Sequence, residues 1–210
     1  MRIVNNISAM NTNRVLGATD GAMSKTLEKL SSGLRINRAA DDAAGLAISE
    51  KMRAQIGGMK QAIRNAQDGI SFIQTAEGAL NETHSILNRM RELAVQASNG
   101  IYQDDDKAKL QDEFKQLLAE VDRIAGDTEF NKNVLLDGTF KSGTEIVFQI
   151  GANANQIIKT EIGSMKAVDL GLASGTTINA DNTAIQAVLS GLDGAIDTVS
   201  AERSKLGAIQ

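Results

Sequence analysis

The chain has 210 residues, a net charge of −4 with both signs interspersed, and few aromatics: five Phe, one Tyr and no Trp. It has no cysteine and one histidine, His84, which excludes a disulfide framework, a thiolate metal site, a thiol nucleophile and a multi-histidine metal cluster within one chain. The mild acidity gives no reason to expect a nucleic-acid partner, and no apolar run reaches the length of a membrane span or a Sec-type signal peptide.

Residues 1–43 carry a weak helical pattern. Ile3, Ile7 and Met10 share one face, and Met23, Leu27, Leu30 and Leu34 form a four-three-four stripe. Gly17, Gly21 and Gly33 interrupt it, so this segment is expected to be marginal or disordered until a partner helix covers it. The polar stretch 35–42 reads as a connector. Asp41 and Asp42 stand where they would cap the next helix and meet its positive end. Two adjacent carboxylates without a nucleophile do not suggest acid/base chemistry.

The spacing predicts one uninterrupted helix over residues 44–99, about 80 Å long at 1.5 Å per residue. Met52, Ile56, Met59, Ile63, Ala66, Ile70 and Ile73 alternate spacings of four and three, as in a heptad repeat. The register then slips once and resumes at Ala76, Leu80, Thr83, Leu87, Met90, Ala94 and Ala97. Gly57, Gly58, Gly69 and Gly78 each cost about 1 kcal/mol of helix propensity; the expected compensation is close backbone approach by packed neighbours. So long a helix must lie against others, which implies a rod rather than a globule with a cleft.

Ser98-Asn99-Gly100-Ile101-Tyr102-Gln103 reads as a turn. Asp104, Asp105 and Asp106 then open a second helix to about Ala125, striped by Leu110, Phe114, Leu117, Leu118, Val121 and Ile124 and antiparallel to the first. Residues 126–143 are irregular, anchored by Phe130, Val134, Leu135, Leu136 and Phe140. Alternation over 145–150, a polar turn, and an apolar run over 157–162 predict a β-hairpin. Residues 163–180 read as loop. A helical pattern returns with Ile185, Val188, Leu192, Ile196, Val199, Leu206 and Ile209. The predicted fold class is mainly α, a long antiparallel helical rod with a small hairpin. Its expected parts are residues 1–43, an inner rod over 44–180 and a C-terminal helix over 181–210.

Several stretches carry a family resemblance. They are Leu30-Ser31-Ser32-Gly33-Leu34-Arg35-Ile36-Asn37-Arg38-Ala39-Ala40-Asp41-Asp42-Ala43-Ala44-Gly45-Leu46-Ala47-Ile48, Arg64-Asn65-Ala66-Gln67-Asp68-Gly69-Ile70-Ser71, Arg89-Met90-Arg91-Glu92-Leu93-Ala94-Val95-Gln96, and Thr128-Glu129-Phe130-Asn131 followed by Leu135-Leu136-Asp137-Gly138. In this order they closely resemble bacterial flagellin over residues 1–163 and again over 200–210. The resemblance implies a structural subunit that self-assembles with other flagellin subunits into an extracellular filament for motility. It also implies export through the flagellar export apparatus with its chaperones. Family members carry outer domains where residues 163–180 stand and continue beyond the equivalent of Gln210. A minimal flagellin, truncated at its C-terminus, is therefore expected. The alternatives are a hook–filament junction protein of related architecture and a secreted coiled-coil binding module.

No enzyme is supported, and no cofactor or metal is implied. Gly17 to Thr26 lacks phosphate-loop spacing. Asn81-Glu82-Thr83 is formally a glycosylation triplet in mid-helix, and His84 reads as a surface or helix-interface side chain. The recognition candidate is the segment around Arg89. Arg89 and Leu93 stand four apart, Glu92 lies beside them, and Glu113 comes from the adjacent helix. Packing alone would account for this group. The resemblance implies more: that Arg89, Glu92, Leu93 and Glu113 contact neighbouring subunits and are recognised by the flagellin-sensing Toll-like receptor of animals. Asn88 and Met90 depart from the glutamine and valine common there.

Overall fold

The computed structural model describes residues 6–141, 143–172, 175–179 and 181–210; Ile3 of the first stripe lies outside the described residues. The chain divides into two compact units, residues 1–58 and 59–210.

The first unit holds helix α1 (Ile7–Ser32) and the start of helix α2 (Ala43–Ala97). Asn6 starts α1 by accepting the Ala9 N–H on its side-chain oxygen at 3.2 Å. The helix passes Gly17 and Gly21 unbroken, against expectation, and ends at Gly33, whose φ of +68° makes it the left-handed terminator. No residue of α1 is buried. In the connector, Arg38 pairs with Glu28 at 3.0 Å. Of the two aspartates, Asp42 is the cap: its carboxylate accepts the Gly45 N–H at 2.8 Å. Gly45 is required there, because a Cβ would collide with the Asp42 carboxylate and approach Ile36 to 2.8 Å.

The second unit is built on the remainder of α2. Its buried positions are Ala62, Gly69, Phe72, Ile73, Ala76, Leu80, Thr83, Leu87, Met90, Leu93, Ala94 and Ala97. With half-buried Ala66, the series 62, 66, 69, 73, 76, 80, 83, 87, 90, 94, 97 alternates four and three without interruption. The expected slip therefore does not exist on the packed face. From Ala76 onward the predicted stripe is buried throughout; before it, Ala66 and Ile73 lie on the packed face as expected, but Ala62 and Gly69 stand there in place of Ile63 and Ile70. Met52, Ile56, Met59 and Ile63 are more than half exposed. At Ile63 and Ile70 the larger apolar residues drew the expectation to a neighbouring face, whereas small Ala62 and Gly69 are the buried ones.

Helix α3 (Asp104–Asp127) packs antiparallel to α2 as predicted: Glu113, early in α3, reaches Arg89, while Phe130, just beyond its end, reaches Phe72. Helix α4 (Asn182–Ile209) also runs antiparallel to α2, since Asp193 pairs with Arg91 at 2.7 Å and Arg203 approaches Glu77 at 4.0 Å. Strands β1 (Glu129–Phe130) and β2 (Asn133–Val134) form a minimal hairpin that the sequence reading missed. Its two-residue turn, Asn131 and Lys132, has φ of 50° and 66°, the geometry that matches strand twist. The predicted hairpin is present as β3 (Ile146–Gln149) and β4 (Ile157–Thr160), with Phe148 opposite Ile158. Phe72 is ringed edge-on by Phe130, Phe140 and Phe148, with centroids 5.7, 6.2 and 5.9 Å away. Phe148 packs over Gly69, where a Cβ would lie 3.1 Å from its ring; Gly57 and Gly78 face open space, so close approach explains only Gly69 of these three.

Among its described residues the loop after β4 has no regular element, as expected, but it is part of the core. Met165, Ala167, Leu170, Leu172 and Ile178 are buried. Side chains from the helices hold its backbone. Asp122 accepts the Ala167 N–H at 2.8 Å, and Glu202 accepts the Gly163 N–H at 3.1 Å. Gln111, itself buried, donates to the Thr176 carbonyl and accepts the Ile178 N–H.

Candidate interaction surface

Near its C-terminal end, α2 is flanked by α3 on one side and α4 on the other. At 100° per residue, buried Leu87, Met90, Ala94 and Ala97 define the inward direction. Arg89 and Arg91 then fall on opposite flanks, while Asn88, Glu92 and Val95 form the outward ridge; all five are exposed.

Arg89 is the hub of the α3 flank. Its Nε and Nη2 donate to Glu113 Oε1 at 3.0 and 2.8 Å, and Nη1 donates to Glu92 Oε2 at 3.2 Å. The Glu113 carboxylate foremost, then that of Glu92, holds the guanidinium above its ordinary pKa. These are solvated side chains, so the group orders a surface more than it stabilises the fold. One cation held by two anions leaves a net negative patch, with Glu92 offering its free oxygen outward. On the opposite flank, Arg91 Nε donates to Asp193. The sequence reading missed that pair, because its members lie 102 positions apart and no local pattern joins them.

The structure brings Arg89, Glu92 and Glu113 together, but Leu93 does not belong to their surface. Leu93 is 1% exposed and lies in the hydrophobic core. It sits only 40° from Arg89 around the helix, but on the inward side, beneath the ion pair. Spacing by four identified a shared flank and could not tell its wet edge from its dry one. Val95, 47% exposed, is the apolar residue that the ridge presents.

No group of three potential metal-ligating side chains occurs among the described residues, and none of their helices is long and apolar enough to cross a membrane. His84 is half-buried, and Asn81 stays in mid-helix with its carbonyl accepting the Ser85 hydroxyl.

Comparison with known proteins agrees with this architecture. The family profile described as the bacterial flagellin N-terminal helical region matches residues 3–141. Flagellin of Bacillus subtilis is 52% identical over 239 aligned positions, covering all of this chain and 79% of the relative. The flagellar filament 31.3 kDa core protein of Treponema maltophilum is 48% identical, covering all of this chain and 77% of its own length. Among solved structures, the crystal structure of Bacillus cereus flagellin aligns with a TM-score of 0.58 at 32% identity, over 69% of this chain and 81% of that one.

Proposed function

The chain belongs to the bacterial flagellin family, and on that premise we propose that it is a structural subunit of an extracellular flagellar filament, serving motility. The observation that carries this reading is the unburied apolar surface of the first unit. In α1, Ile7, Met10, Leu16, Met23, Leu27 and Leu30 are 57–79% exposed. On the first part of α2, Ile48, Met52 and Ile56 are 55–58% exposed at spacings of four. Two amphipathic helices with no covered face belong to an interface that other copies complete. Repeated head-to-tail, such contacts give an open helical polymer. The same helices, held by few tertiary contacts, suit passage through a flagellar export apparatus and capture by a chaperone.

Within this reading, the ridge of Asn88, Glu92 and Val95, together with the Arg89–Glu113 pair on its α3 flank, is the surface used by neighbouring subunits and by the flagellin-sensing Toll-like receptor. The test is incorporation of labelled chain onto preformed flagellar seeds, with Met52→Asp/Ile56→Asp as the interface variant. Incorporation of the parent and its loss in the variant, at equal helix content by circular dichroism, is the expected result. A parent chain that stays monomeric beside the seeds overturns the filament reading. For recognition, Arg89→Ala should lower receptor signalling in a reporter assay while the melting curve stays in place. An unchanged dose response removes that role.

A further inference from the structure

The turn between α2 and α3 holds the chain's single Asn-Gly pair, Asn99–Gly100. Both residues are exposed, just past the end of α2 at Ala97. An asparagine carboxamide carbon is electrophilic, and the next residue's amide nitrogen can reach it to close a five-membered ring. Two things normally prevent this: a Cβ on the following residue, and a backbone hydrogen bond that fixes the attacking nitrogen. Neither operates at Gly100. Glycine has no Cβ, and among the described residues the Gly100 N–H donates to nothing, although its neighbours do: Asn99 N–H to Gln96 O at 3.1 Å and Tyr102 N–H to Asn99 O at 3.4 Å. Asn99 Oδ1 accepts the Ile101 N–H at 3.4 Å, a long bond that folds the side chain back over the Gly100 peptide. Of the related Asp-Gly pairs, Asp20–Gly21, Asp68–Gly69 and Asp193–Gly194 lie inside helices, where the glycine nitrogen is fixed; Asp137–Gly138 lies in a loop, but its side chain is a carboxylate, a far poorer electrophile than a carboxamide.

We infer that Asn99 is a site of self-modification. The Gly100 nitrogen attacks the Asn99 side-chain carbon and gives up its proton. The C–N bond of the carboxamide breaks, and the amide nitrogen leaves as ammonia. Water then opens the succinimide at either carbonyl, yielding isoaspartate or aspartate; the net reaction consumes one water and releases one ammonia, with no oxidant or cofactor. The product places a negative charge beyond the C-terminal end of α2, whose last carbonyls already carry partial negative charge. Isoaspartate also lengthens the backbone by one methylene. Both changes loosen the α2–α3 turn, so each molecule carries a record of its age there.

The test is incubation of the folded full chain at neutral and mildly alkaline pH, followed by mass spectrometry of the tryptic peptide 92–107. Asn99 should convert faster than Asn153 and Asn155, which are exposed in the β3–β4 turn but precede Ala154 and Gln156. Isoaspartate should outnumber aspartate, and the rate should rise with pH. Gly100→Ala should slow conversion roughly tenfold or more, because it restores the blocking Cβ. That variant isolates the chemistry from folding, since an added Cβ at Gly100 meets nothing within 4 Å. Asn99→Gln should remove the product altogether. Conversion at Asn99 no faster than at Asn153 and Asn155, or a rate indifferent to Gly100→Ala, overturns the assignment.

Discussion

Residues 43–58 of α2 lie in the first unit and residues 59–97 in the second, and the two stretches differ in what covers them rather than in what they are made of. In the first unit, Ile48, Met52 and Ile56 are exposed, as is every large apolar residue of α1. In the second, Leu80, Leu87 and Met90 are fully buried under α3, α4 and a loop. Helical periodicity therefore specifies the element in both places, whereas stability comes from partners that only the second unit has within the chain. A helix whose face is left open is a binding element by construction, and its folding energy is deferred to assembly.

The largest test of this contrast is truncation of apolar residues in each unit. Leu80→Ala or Leu93→Ala should cost about 2–5 kcal/mol by leaving a cavity, read as a lower denaturant midpoint. Ile56→Ala should change the monomer by less than about 0.5 kcal/mol. Hydrogen exchange should divide the chain in the same way, fast over residues 7–58 and protected over 72–97. Equal costs or equal protection would mean that the first unit has internal support not visible in its burial. Leu93 is also the wrong residue for probing recognition, because its loss would damage the core beneath the surface in question.

A smaller effect is expected at Gln111. Its amide closes two backbone groups of the loop after β4, one of them on fully buried Ile178. Gln111→Met keeps the volume but strands those groups, at about 1–3 kcal/mol. The Ile178 amide should then exchange faster, while residues 72–97 keep their protection until global unfolding. If the whole unit weakened evenly, the loop would be an integral layer of the core rather than a cover pinned onto it.

The sequence made the helices legible because their patterns are long and local. From Ala76 to Ala97 every position of the expected stripe is buried. It misled at Met52, Ile56, Met59, Ile63 and Ile70, which are exposed, while Ala62 and Gly69 are buried, Gly69 against Phe148 of the hairpin. A reading that weights apolar size cannot anticipate a face selected for closeness. The loop over 163–178 hid its role differently: its anchors are separated by glycines and polar residues, and its clamps, Gln111, Asp122 and Glu202, are polar residues on distant helices. At the candidate surface, Arg89, Glu92 and Glu113 were accessible through helical spacing plus an antiparallel turn. The exclusion of Leu93 was not, because it depends on where α3 sits.

The glycines of α2 supply a matched pair within the second unit. Gly78→Ala meets no neighbour and should stabilise by about 0.5–1 kcal/mol through helix propensity alone. Gly69→Ala gains the same propensity but forces Phe148 to move, an overpacking cost of about 1–3 kcal/mol. Thermal melts should therefore shift in opposite directions. Two upward shifts would mean that the hairpin yields freely and that Phe148 does not fix the face of α2.

The finest test uses acid. Asp137 accepts the Thr139 N–H at 2.9 Å. Its carboxyl is held below its ordinary pKa by Thr139, chiefly through the hydroxyl, with the backbone N–H and the charge of Lys166 adding to the effect. The folded state therefore binds this proton less readily than the unfolded chain does. The stabilisation is complete above the unfolded carboxylate pKa of about 4 and is lost as pH falls through the lower folded value. Glu120, lowered by Arg123, has the same sign. Both groups lie in the second unit, while the shift resolved in the first is an upward one at Arg38, which does not titrate in this range. Urea midpoints measured from about pH 6 to pH 3 should fall for the parent chain. They should fall less steeply for Asp137→Asn, which keeps an acceptor oxygen but cannot gain the proton. Because urea melts report the unit with the core, an identical slope in the variant would place the acid sensitivity in Glu120 and the other carboxylates and leave the Asp137 turn as a purely geometric feature.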